Sequence, residues 1–124
     1  MNAYTSKKPE DIPWVASPSG ASGCFSRKLF EYGSEALGRD GAATSYTTLY
    51  RFDRGARYPA WRVLKGGAVE IYVLQGTLHV NGSGVPLGTW IQLREHEDGW
   101  SIGSVDCCEI LAIVRGRIEL VRPA

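Results

Sequence analysis

Two histidines, three cysteines and one run of acids are where this sequence could do chemistry. His79 stands between Leu78 and Val80, and His96 lies inside Glu95-His96-Glu97-Asp98-Gly99. Two imidazoles with one carboxylate, such as Glu95 or Glu70, make the facial donor set that suits a divalent transition metal. The alternative for His79 is a packed or solvent-facing imidazole in a strand. Residues 95 to 99 concentrate acids but lack the spaced oxygen ligands of a calcium loop, so they read as a solvated turn. Cys24, Cys107 and Cys108 are odd in number, and the adjacent pair could bridge only through a strained ring. They read as reduced thiols. Along a strand Cys107 and Cys108 point in opposite directions, and with no basic neighbour to favour a thiolate a buried thiol stays inert.

The elements that must position these groups are strands. Cys24 to Tyr32 alternates in the manner of a strand, and Thr44 to Phe52 is rich in β-branched and aromatic residues. Residues 17 to 23 read as turn, 33 to 42 as loop, and 53 to 59 as a further turn. From Ala60 onward short apolar runs alternate with turn residues: 60–64, 68–74, 77–80, 86–93, 100–105, 107–116 and 117–121. Asn81-Gly82-Ser83-Gly84 between two such runs marks a hairpin. No window of a dozen residues keeps apolar positions at helical spacing, so eight to ten strands and an all-β sandwich or barrel of the jelly-roll type are expected.

Composition narrows the function. The 124 residues carry 14 basic and 13 acidic side chains, a net charge of +1, which gives no electrostatic footprint for nucleic acid or an anionic membrane. Hydrophobic residues make up 44%, enough for the core of one domain. No apolar run approaches the ~20 residues that span a bilayer, and the first residues lack the hydrophobic centre of a signal peptide. A cytoplasmic protein is expected. Residues 1–12 are polar and read as a flexible arm ahead of a barrel over 13–124. Trp14 reads as an anchor, either on a neighbouring subunit's sheet edge or on its own chain.

Residues 54–80, Arg-Gly-Ala-Arg-Tyr-Pro-Ala-Trp-Arg-Val through Thr-Leu-His-Val, followed by Gly-Thr-Trp-Ile-Gln-Leu at 88–93, resemble the paired motifs of the cupin superfamily. Within it the likeness is closest to the cupin domains of ChrR-type anti-sigma factors, and it runs from Trp14 to Gly116. Its most specific parts are Gly-Ala-Arg-Tyr-Pro-Ala-Trp at 55–61 and Tyr-Val-Leu-Gln-Gly at 72–76. The resemblance implies a single-domain cupin jelly-roll barrel, commonly a homodimer through its outer faces.

Metal-binding cupins carry two histidines and a glutamate in the first motif and a histidine in the second. Counted from Gly55, Trp61 and Val63 stand at the two histidine positions, and neither side chain has a lone pair to give. The carboxylate's relic is Glu70, although counting back from Gly76 lands on Val69. In the second motif, counting from Gly88 places Gly99 at the histidine position, three residues past His96. The resemblance therefore implies a barrel without a metal cofactor, lined by Tyr50, Trp61, Arg62, Val63, Tyr72, Trp90 and Gln92, holding a small, largely apolar molecule. Side chains filling a narrow barrel are the alternative. Glu70 and His96 are the candidates for acid–base catalysis of an isomerisation, cyclisation or elimination. Two other functions fit the resemblance: a dioxygenase-type enzyme with unusual metal ligands, and a ChrR-like sensory module.

Overall fold

A computed structural model describes residues 6–16, 22–32, 45–96, 98–116 and 118–121. The expected loop over 33–42 lies outside them, as do residues 17–21 of the turn expected over 17–23, whose last two residues instead open a strand. The described residues form ten strands: β1 (Val15–Ala16), β2 (Ser22–Tyr32), β3 (Ser45–Val63), β4 (Ala68–Gln75), β5 (Thr77–Val80), β6 (Ser83–Pro86), β7 (Trp90–Leu93), β8 (Trp100–Gly103), β9 (Cys108–Arg115) and β10 (Ile118–Val121). The described helical structure is one 3-10 turn over Pro9–Asp11.

Pairing is antiparallel, in the order β6-β5-β8-β3-β9-β4-β7, with β2 and β10 also on β3 and β1 on β2. Because β3 is 19 residues long, its first half pairs with β2 and β9 and its last residues with β8 and β10. The turn expected at 53–59 is absorbed into this strand. Ser22 pairs with Arg57 and Cys24 with Phe52, so two steps along β2 face five along β3 and the surplus forms a bulge. The bulge's polar groups are satisfied by the loop after β8: Gly55 N–H donates to the Val105 carbonyl at 3.1 Å, and the Ser104 hydroxyl donates to the Asp53 carbonyl at 3.1 Å.

The run expected as one strand over 86–93 is two, β6 and β7, parted by a turn whose Thr89 N–H reaches the Pro86 carbonyl. Asn81 and Gly82 both take positive φ, 50° and 80°, which is the turn that matches the twist of a two-residue hairpin.

Strand alternation sets the core. On β4, Val69, Ile71 and Val73 are fully buried while Ala68, Glu70 and Tyr72 are half-buried on the other face. The same period buries Cys108, Ile110, Ala112 and Val114 on β9. These face Phe52, Trp61 and Val63 from β3 and Leu78 from β5 in one cluster. β1 pairs with β2, and Lys7 Nζ lies 5.1 Å from the centre of the Phe30 ring on β2. Trp14 is anchored on its own chain, its ring lying 4.4 Å from the Arg27 guanidinium carbon and 4.9 Å from that of Arg51. No described helix is long and apolar enough to cross a membrane.

Candidate functional site

The inward face of β3 carries a run of aromatic rings. Tyr50 and Phe52 enter it before the bulge, Tyr58 and Trp61 after it. Ring centroids lie 5.6 Å apart for Tyr50 and Trp61, 5.5 Å for Tyr58 and Trp61, and 5.8 Å for Tyr50 and Tyr58, so the three rings touch one another. Contacts between aromatic rings at this spacing are worth about 0.5–1.5 kcal/mol each beyond the area they bury. Val63 follows on the same face, 2% exposed.

Two polar features sit inside this cluster. The Tyr50 hydroxyl interacts with those of Tyr46 and Tyr58, and burial, with the two neighbouring phenols adding to it, holds the Tyr50 phenol well above its ordinary value of 10.0. Tyr46 is raised by burial too. The indole N–H of Trp61, a residue with no exposed surface, meets no acceptor among the described residues. An orphaned buried donor costs about 1–3 kcal/mol.

Of the residues proposed from the sequence, Tyr50, Trp61 and Val63 come together in the interior. Glu70, Tyr72, Trp90 and Gln92 do not join them. Glu70 pairs with Gln92 and Tyr72 with Trp90 across β4 and β7, on the face opposite Val69, Ile71 and Leu93. The Tyr72 and Trp90 rings stack at 4.6 Å on that outer face, and Trp90 is 56% exposed. The correction follows from the period of two: with Val69 inward, Glu70 must point out.

His96 occupies a different place again. It lies in the loop after β7, its ring 4.8 Å from that of Trp100, whose indole N–H donates to the Arg94 carbonyl at 2.7 Å. Trp100 is the β8 partner of Trp61. The imidazole Nδ1 accepts from the Asp98 N–H at 3.2 Å, an arrangement that leaves the proton of a neutral ring on Nε2. His96 borders a shallow open groove with Arg62, Val63, Leu64, Lys65 and Glu95. Glu95 is tied down there, accepting from the Gly66 N–H at 3.1 Å. Arg62 therefore belongs to this groove, which Val63 also borders, while Trp61 is wholly buried.

The donors are dispersed. Trp61, Val63 and Val69 face the interior and none can ligate a cation. Among the described residues no three His, Cys, Asp or Glu gather where they could hold a metal ion. His79 lies between the buried Leu78 and Val80, paired with Gly84 and Gly103. Of the thiols, Cys107 is exposed and Cys108 buried, as their adjacency requires. Burial pushes Cys24 and Cys108 up to about 11, with Asp53 and Glu109 respectively adding to it, so neither is a nucleophile near neutrality.

Tyr46 and Tyr58 are absent from the sequence reading. Tyr46 stands four residues before Tyr50, an even spacing that puts both on one strand face. Tyr58, eight residues after Tyr50, is likewise at an even spacing; it is Trp61 that reaches that face only through the register shift between Tyr58 and Trp61.

No protein-family model and no curated protein matches the sequence. Solved structures do. The chain is similar to the polyketide cyclase RemF from Streptomyces resistomycificus, with a TM-score of 0.67 and 20% identity over 98% of this chain and 87% of that one. It is similar to an acetylacetone dioxygenase from Acinetobacter johnsonii, with a TM-score of 0.68 and 13% identity over 97% and 78% of the two chains. A cupin-2 domain protein from Rhodospirillum rubrum aligns over 100% of this chain and 84% of its own, with a TM-score of 0.64 and 14% identity. The fold is that of a single-domain cupin jelly roll, as its motifs lead one to expect.

Proposed function

We propose that this cupin fold serves as a metal-independent binder of a small, largely apolar molecule, held in the barrel interior against Tyr50, Trp61 and Val63. One observation carries the reading: the inward positions that the cupin motifs reserve for two imidazoles and a carboxylate hold Trp61, Val63 and Val69, all essentially inaccessible to solvent. An indole and two isopropyl groups do not fit a transition metal; they fit hydrocarbon. The count back from Gly76, which selects Val69 over Glu70, agrees with the direction of the side chains on β4.

The groove of Arg62, Leu64, Lys65, Glu95 and His96 is the rim in this reading. It adjoins the interior through Trp100, which packs against the core and lies beside Trp61 on the neighbouring strand. His96, with Nε2 free to donate, replaces Glu70 as the titratable group at the site's edge.

The test has two halves. After dialysis, elemental analysis of the purified protein is expected to find zinc, iron, manganese and nickel each far below one per chain. Saturation with indane, a compact hydrocarbon, is expected to raise the melting temperature, since a ligand that binds only the folded state stabilises it by mass action. A stoichiometric metal, or no response to indane, overturns the proposal.

A further inference from the structure

Strand β7 ends the sheet. Among the described residues it pairs with β4 alone, through residues 69–72, and its other edge meets no strand. Which groups that edge offers follows from the ladder. The Val73 N–H donates to the Thr89 carbonyl, and bonded pairs alternate along an antiparallel ladder, so the amides of Ile91 and Leu93 face β4 while those of Trp90 and Gln92 point away from it. Natural sheets guard such an edge with lysine, proline or an inward-pointing charge. Trp90-Ile91-Gln92-Leu93 carries none of these. Apolar surface gathers around it instead: Leu74, Leu87 and Trp90 are exposed, and Tyr72 stacks on Trp90 from β4 and holds the indole in place.

We infer that β7 pairs antiparallel with β7 of a second copy of this chain, about a two-fold axis at Gln92, so that the two Gln92 residues exchange N–H···O=C bonds and the sheets join into one. The side chains select this partner. Arg94, one residue past the strand, donates from Nε to Gln92 Oε1 at 2.7 Å, which puts its guanidinium on the outer face with Gln92 and Trp90. The strand therefore carries an indole two residues before Gln92 and a cation two residues after it. Turned end for end about Gln92, it sets Trp90 opposite Arg94 of the partner subunit, a cation beside an aromatic face, and the symmetry makes the same contact twice. On the inner face Ile91 meets Leu93 of the partner subunit, apolar against apolar. A foreign strand would need this order of side chains reversed; a second copy has it by symmetry. The contact uses an edge, not the outer faces that the cupin resemblance implies, and needs nothing in the barrel interior.

Sedimentation velocity on the wild-type chain, from micromolar to millimolar protein, is expected to show a monomer–dimer equilibrium. Gln92→Pro removes the N–H at the axis. Because that N–H faces away from β4, proline suits the position and spares the ladder within the chain. The variant is expected to weaken the dimer by about tenfold or more, since the two axial hydrogen bonds are lost. Arg94→Glu, an exposed change, is expected to weaken it several-fold by taking the cation from Trp90 of the partner subunit. Should Gln92→Pro fail to fold, hydrogen exchange on the wild-type chain still decides: the Gln92 amide exchanges fast in dilute protein, where nothing accepts it, and slowly in concentrated protein, where the pairing covers it. A monomer throughout, a dimer that Gln92→Pro leaves intact, or a Gln92 amide whose exchange ignores concentration overturns the pairing.

Discussion

The direction of each side chain on β3 and β4 decides what chemistry the molecule can hold. Trp61, Val63 and Val69 all face the core, so restoring donors there should restore a metal centre. The triple change Trp61→His, Val63→His, Val69→Glu is expected to confer nickel or zinc binding by calorimetry where the parent shows none; a variant that folds and binds no metal refutes the motif alignment. Glu70→Gln, on the outer face, is expected to leave ligand affinity unchanged and stability within about 0.5 kcal/mol of the parent by denaturant titration. Trp61 and Val63, the residues that counting from Gly55 selects, are both buried. The carboxylate's position was not legible, because the turn over residues 65–67 can be counted two ways and a slip of one residue moves a strand side chain to the opposite face. His96 was legible as a candidate, but its separation from Glu70 was not, since nothing local fixes the path of a polar loop.

Among the elements, β4 and β5 meet at Gly76, which takes φ +75° and packs so closely on the next segment that an added Cβ would collide with the Cys107 carbonyl oxygen. Gly82 also has positive φ, 80°, but faces open space. Gly82→Ala is expected to cost about 1–2 kcal/mol from the left-handed backbone alone, whereas Gly76→Ala adds overpacking against a main-chain atom that cannot step aside, for about 2–5 kcal/mol in all. Equal losses in urea unfolding would show that the close approach does not matter. Short strands bounded by glycine were readable from the sequence, down to the hairpin at Asn81-Gly82. The continuity of β3 was not: residues 53–56 look like a turn because their bulge is held by Val105 and Ser104, fifty residues away. The split between β6 and β7 was hidden for the opposite reason, an apolar Leu87 in the turn itself, 65% exposed.

For the molecule as a whole, pH sets the limit of stability on the alkaline side. Burial holds the thiols of Cys24 and Cys108 at about 11, against 9.0 in the open chain, and raises the phenols of Tyr46 and Tyr50 above 10.0. In all four the fold favours the protonated form. Above the unfolded value the native chain binds more protons than the unfolded one, so stability falls as pH rises. The thiol contribution is whole below pH 9 and is lost between 9 and about 11, with the phenols adding to the loss above 10. The melting temperature is expected to decline from about pH 9 upward. In Cys24→Ala, Cys108→Ala the onset moves toward pH 10, where the phenols take over. A curve unchanged by the double substitution would remove the thiols as its cause.

A strand shared between two walls of the sheet ties each to the other. Since β3 hydrogen-bonds to β2, β8, β9 and β10, neither wall can peel away while the other persists. Its central amides should be the last to exchange with solvent, at the free energy of global unfolding.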